Sequence, residues 1–271
     1  GQEGLMWPQL KHNNIQKKMS ENQEVTVENS NAGMEACCVV QCDLELGENY
    51  WNNQYEAGKT GWDLGMASPA LVKYIDSLPN KDARILIPGC GNAYEAQYLL
   101  DQGFTNITLI DIAPLLVEQL QEKYVGNPNI QVVLGDFFEF EGQFDVIIEQ
   151  TFFCAIQPYM RSEYVKQMRK LLSPEGELAG LLFDTRFDFD GPPFGGCKCE
   201  YTPVFDEGGL RVDEMEITPD SAKPRAGTEL FFRTGVKKST DACVVDAACG
   251  IKQYANIAEK LNWNKTNQDN K

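Results

Sequence analysis

Between Ala83 and Phe183 the chain alternates short, continuous apolar runs with stretches of helical spacing. The apolar runs predict strands at 84–88, 106–111, 130–134, 144–149 and 177–183. The spacing between them predicts helices over 93–101, 114–124 and 160–171. Ser173-Pro174-Glu175-Gly176 reads as a turn. Strands that lack polar alternation are buried on both faces, so the pattern predicts an α/β fold with a parallel sheet between helices.

Outside that region the pattern weakens. Residues 1 to about 45 are polar and out of phase, and read as an extension. Trp51 and Tyr55, four residues apart, share one face of a short helix that Gly58 and Gly61 end. Pro69 suits the first turn of another helix running to Ser77, with Ser68 as its cap. Asp184 to Cys199 reads as a loop, and strands are predicted near 201–205, 211–217 and 228–233. The last two of these make an antiparallel closing hairpin. Ile251 to Leu261 again has helical spacing.

The 271 residues suit one large domain with extensions. A net charge of -16 excludes nucleic acid and an anionic membrane surface as main partners. The single histidine, His12, lies in the polar N-terminal stretch, which removes histidine triads and histidine-rich metal sites. Nine cysteines without a C-x-x-C pair read as reduced thiols in a cytoplasmic protein. Cys197 and Cys199 have poor spacing for zinc, so no metal is expected. No apolar window of membrane-spanning length and no secretory signal is present. Starting at Gly1, the chain is expected to be a fragment or a processed form.

Chemistry concentrates at the ends of the predicted strands. The run Arg84-Ile-Leu-Ile-Pro-Gly-Cys-Gly91 is a buried strand entering a turn with few side chains. Asp111 closes the next strand, twenty residues after Gly91. Glycine lets the backbone approach a nucleotide-like ligand, and a carboxylate at the next strand tip accepts from ribose hydroxyls. A dinucleotide fingerprint needs a third glycine where this chain has Tyr94, which favours a cofactor without a diphosphate, such as S-adenosylmethionine. Asp136 can accept from an adenine amino group while Phe137 covers the ring; an ordinary turn aspartate is the alternative. In Glu149-Gln-Thr-Phe-Phe-Cys-Ala-Ile156, Gln150 would face the cofactor, and Phe152 and Phe153 would wall the pocket or simply fill the core.

Trp51, Tyr55 and Trp62 in the spacing W-x3-Y-x6-W are followed in order by Thr60-Gly-Trp-Asp-Leu-Gly65, IPGCG, LIDIA, GDFF, FDVIIEQTFFCAI and LLSPEGEL. This series resembles the thiopurine methyltransferase superfamily, most closely its thiol, thiocyanate and halide methyltransferase branch. The likeness runs from about residue 48 to 235, including Pro224-Arg-Ala-Gly-Thr-Glu-Leu230. It implies a class I methyltransferase, Rossmann-type doubly wound sheet, mostly parallel with an antiparallel C-terminal hairpin. It implies contacts to S-adenosylmethionine, and to its product S-adenosylhomocysteine, from Trp51, Trp62, Gly89, Asp111, Asp136, Phe137 and Gln150, with Tyr55 beside them. Gln150 and Phe183 stand where relatives often carry Tyr. On this basis 48–236 is the methyltransferase domain, and 1–47 and 237–271 are extensions.

Methyl transfer from a sulfonium is an in-line displacement that needs alignment and exclusion of water. A thiolate or halide needs little or no general base. Pocket candidates on the acceptor side are Phe152, Phe153, Phe183 and Arg225. Arg225 would attract an anionic acceptor or else form a surface salt bridge, and Cys154 reads as a buried packing residue. A monomer acting on a small nucleophile is expected. The alternatives are a nitrogen or oxygen acceptor, a nicotinamide oxidoreductase, and a non-catalytic module that binds adenosylmethionine.

Overall fold

The structure is a computed structural model, described over residues 45–238. The predicted helix at Ile251–Leu261 and most of both extensions lie outside the described residues. Seven strands form one sheet: β1 (Ile85–Pro88), β2 (Ile107–Asp111), β3 (Ile130–Leu134), β4 (Phe144–Gln150), β5 (Leu172–Phe183), β6 (Leu210–Ile217) and β7 (Glu229–Val236). Their order is β3-β2-β1-β4-β5-β7-β6. The first five are parallel, and β7 runs antiparallel to both β5 and β6. The predicted doubly wound sheet with an antiparallel closing pair is therefore present.

Alternate strand residues feed two separate cores, as the pleat requires. Ile85, Ile87, Val146, Ile148, Ala179 and Leu181 pack with α2 (Pro69–Ser77), α3 (Tyr94–Asp101) and α4 (Pro114–Lys123). Leu86, Ile147, Leu178 and Leu182 pack on the other face with α5 (Arg161–Leu171) and α6 (Lys198–Glu207). A first helix, α1 (Glu48–Glu56), docks over α4, where Asn52 Oδ1 accepts from the Leu115 N–H at 2.8 Å. None of the described helices is long and apolar enough to cross a membrane.

Four local expectations are corrected. The stretch 201–205 is helix α6, because Tyr201 and Phe205, four residues apart, both bury fully on the α5 side of the sheet. Pro203 sits inside that helix and removes only one main-chain donor. Ser173 to Gly176 belongs to β5; the register passes from Phe144↔Leu172 to Val146↔Glu177, so the segment bulges out without ending the strand. Ser68 precedes α2, but its side chain makes no cap bond, and its main-chain N–H donates to Glu95 Oε1 at 2.9 Å. Cys197 and Cys199, expected as thiols, form a disulfide at the start of α6, where their Cα atoms lie 5.3 Å apart.

Candidate active site

The chain leaves β1 for β2 and β3 on one side and returns to β4 and β5 on the other. The gap beyond the ends of β1 and β4 is thus the topological switch point, where open parallel sheets bind ligands. A cavity of about 570 Å³ lies there, lined by residues from the ends of β1, β2, β3 and β4. Gly89 and Gly91 adopt positive φ of 54° and 52°, and an added Cβ on Gly89 would sit 2.4 Å from Phe152 Cδ2. Only glycine permits that turn against that ring. At the tip of β2, Asp111 Oδ2 accepts from the Gly91 N–H at 3.3 Å and Oδ1 from the Ala113 N–H at 3.0 Å. Burial raises the pKa of Asp111, and these main-chain donors oppose the rise.

Rings roof the cavity. Trp51 and Tyr55 come from α1 and meet Trp62 edge to face, with centroids 5.4 Å and 5.7 Å from it. Burial, with the nearby Asp111, holds the Tyr55 hydroxyl in its protonated form. Two fastenings keep the Trp62 segment down. Arg225 Nη2 donates to the Trp62 carbonyl oxygen at 2.6 Å. Next door, Asp63 Oδ2 accepts from Asn92 and, at 3.2 Å, from the Tyr94 hydroxyl. Asp136 is exposed at the rim, where its Oδ1 accepts from the Phe138 N–H at 2.8 Å. Phe137 beside it is buried against Phe152 and Tyr164.

The cavity brings together Trp51, Tyr55, Trp62, Gly89, Asp111, Asp136, Phe137 and Gln150, together with Phe152, Phe183 and Arg225. Phe153 is the exception. It turns away from the cavity into the core between Tyr164, Tyr201 and Phe205, with the Arg161 guanidinium over its ring. Arg225 is also corrected, because its pairing partner is buried with it. Its Nη1 meets Glu229 Oε1 at 3.2 Å, with both side chains at most 4% exposed. Sequence reasoning missed Glu95, which lines the cavity as a buried carboxylate, and the mouth residues Tyr159 and Phe189. Tyr159, in the short 3-10 helix Pro158–Met160, and Phe189, on a loop, are large exposed aromatics, and no sequence spacing relates them to the strand ends.

The family model described as Thiopurine S-methyltransferase (TPMT) matches residues 46–236. The chain belongs to the thiopurine S-methyltransferase family. It is 34% identical over 190 residues to "Probable thiol methyltransferase 2" of Arabidopsis thaliana, an alignment covering 68% of this chain and 83% of the relative. It is 33% identical over 191 residues to "Thiocyanate methyltransferase 1" of Brassica oleracea, covering 69% and 84%. Among solved structures, a Burkholderia thailandensis 1,6-didemethyltoxoflavin-N1-methyltransferase with bound S-adenosylhomocysteine superposes with a TM-score of 0.58 at 18% identity. That match covers 73% of this chain and 94% of the other and shows the shared fold. The protein is thus an S-adenosylmethionine-dependent methyltransferase, which sets aside the nicotinamide alternative.

The residues of this methyltransferase fit that donor. Gln150 Nε2 lies buried at the cavity wall without a protein partner, a donor left for a ligand. Asp111 presents a carboxylate at the strand tip, where ribose hydroxyls would donate. The indole faces of Trp51 and Trp62 suit a sulfonium cation. Towards the acceptor side, Cys154 is buried and its thiol is pushed up to about 12 by burial and the nearby Glu149, so it stays protonated and is no nucleophile.

Proposed function

We propose that this methyltransferase acts on a small soft nucleophile: a thiol, thiocyanate or halide. Residues 48–236 are taken as the catalytic domain, acting as a cytoplasmic monomer. One observation carries the acceptor class. Beside Phe152 and Phe183 the cavity holds one buried guanidinium, Arg225, whose Nε has no protein partner, next to a thiol that stays protonated. An acceptor that is already nucleophilic suits such a wall because it needs no base; the Arg225 charge itself is balanced by Glu229. The two plant relatives, named for thiol and thiocyanate methylation, support the same class.

The donor supplies a methyl group already activated on sulfur. The protein's contribution is placement. Trp51, Tyr55 and Trp62 cover the donor side and exclude water. Asp111 and Gln150 fix the adenosyl part from two strand ends, and Asp136 and Phe137 fix the base. Phe152 and Phe183 restrict the acceptor to a line through the methyl group, which is where most of the rate gain in such a displacement arises.

The test uses purified full-length protein, donor labelled in the methyl group, and a panel of thiocyanate, iodide, bromide and simple thiols, with products read by mass. Labelled methyl thiocyanate, methyl halide or thioether is the expected result. Donor binding by calorimetry without labelled product from any member would overturn the reading in favour of another acceptor or a non-catalytic module.

A further inference from the structure

Glu149 lies one residue before the end of β4 and is fully buried. It is not part of the cavity wall, yet it governs the turn that is. Its Oε2 accepts from the main-chain N–H of Phe152 at 3.0 Å and of Phe153 at 3.1 Å. Its Oε1 has no partner. The turn so closed is unusual, because Thr151 has a φ of 64°, a left-handed value that β-branched residues rarely adopt. The Thr151 hydroxyl donates to the Gln150 carbonyl oxygen at 2.6 Å, and Cys154 Sγ donates to the Thr151 carbonyl oxygen at 3.2 Å. That geometry aims Gln150 and Phe152 at the cavity and Phe153 into the core. Space for the carboxyl is made on the neighbouring strand, where a Cβ on Gly180 would come within 2.8 Å of Glu149 Cγ.

We propose that Glu149 is a positioning residue: its two main-chain hydrogen bonds hold the left-handed turn at Thr151, and so fix the Phe152 wall and the Gln150 amide against the line of methyl transfer. The proposal rests on the reading that this cavity is a methyl-transfer site. Burial pushes the acid up to about 8, so at neutral pH it accepts both N–H groups without carrying charge. The titratable neighbours are Cys154 on the same turn and Tyr164 on α5, both held protonated; Arg161 and Arg225 are the cations that bear on Cys154. A neutral acid suits the chemistry. The acceptor proposed for this site is an anion, and a buried carboxylate beside it would repel that anion.

The experiment compares wild type, Glu149→Gln and Glu149→Ala as full chains, with thiocyanate as acceptor because it does not titrate between about pH 6 and about pH 10. Glu149→Ala should lower kcat about tenfold or more while the KM for donor moves less than about threefold. Glu149→Gln, which keeps the accepting oxygen, should stay within about twofold of wild type at neutral pH. Wild-type kcat/KM for thiocyanate should decline above about pH 8, and that of the Gln variant should not. A folded Ala variant with wild-type kcat, or a Gln variant with the same alkaline decline, overturns the proposal. If the Ala variant does not fold, amide exchange at Phe152 and Phe153 in Glu149→Leu decides in its place. If wild type binds donor but methylates nothing, the proposed function fails, and amide exchange at Phe152 and Phe153 then reads the turn directly. Unchanged exchange in Glu149→Ala, or in Glu149→Leu should Ala not fold, would overturn the positioning role.

Discussion

Arg225 and Trp62 stand 163 residues apart in sequence, and the Arg225 guanidinium holds the Trp62 carbonyl oxygen at 2.6 Å. The same guanidinium is paired with Glu229 and lies over the Phe183 ring, 5.5 Å from its centroid. One buried cation therefore ties the roof segment to the connection before β7. Removing one partner of such a buried pair leaves the other uncompensated, at a cost of about 3–5 kcal/mol. Arg225→Ala should lose stability in that range in urea unfolding, and Arg225→Ala with Glu229→Gln should lose clearly less. A single variant as stable as wild type would show that the pair is not buried as described.

Gly89 meets two demands at once, a positive φ of 54° and the Phe152 ring directly above it. Gly89→Ala strains the backbone by about 1–2 kcal/mol and forces the ring aside. Affinity for S-adenosylhomocysteine, measured by calorimetry, should fall about tenfold or more. Adding Phe152→Ala relieves the collision but not the strain, so recovery should be partial. Full recovery would mean that only the ring mattered.

The sheet was legible because its central strands are buried on both faces and leave short apolar runs such as Ile85–Ile87 and Val146–Ile148, while the half-exposed edge strand Ile130–Leu134 still keeps four apolar residues of five. The cavity lining was legible for a related reason: Gly89, Asp111, Asp136 and Gln150 sit at strand ends that the sequence marks. The misreadings have one physical source, which is long-range packing. Phe152 and Phe153 are chemically identical neighbours, and only the turn closed by Glu149 sends one to the cavity and the other to the core. The burial of Arg225 depends on Glu229 and on a carbonyl oxygen from the distant roof. Tyr201 and Phe205 read as strand until the α5 face that receives them is known.

Asp111 already accepts from the Gly91 and Ala113 N–H groups, and in the proposed site its carboxylate also accepts from a ribose. Asp111→Asn keeps the shape but gives up one accepting oxygen. We expect a loss of about 1–3 kcal/mol in donor affinity, or roughly tenfold to a hundredfold in Kd. Because burial raises the Asp111 pKa, wild-type affinity should begin to fall, as pH is lowered, above the ordinary carboxylate range. Calorimetric titrations across pH check both points. The Asn variant should lack that pH dependence.

Glu149 also makes a prediction about stability alone. Its folded pKa of about 8 lies above the ordinary 4.5, so the folded chain keeps a proton that the unfolded chain has already released between those values. Stability therefore rises with protons bound in the folded state and must fall as pH increases. The contribution is fully present below about pH 4.5 and is lost progressively up to about pH 8. Glu149→Gln carries no proton to lose and keeps the accepting oxygen for Phe152 and Phe153. The variant should thus gain stability relative to wild type as pH rises, with a difference approaching a few kcal/mol above about pH 8, since each pKa step is worth about 1.4 kcal/mol. Urea unfolding of both proteins at about pH 5 and about pH 8.5 measures it. A difference that stays constant between the two conditions would mean that Glu149 ionises like an exposed carboxylate and that the floor beneath Thr151 is open to water.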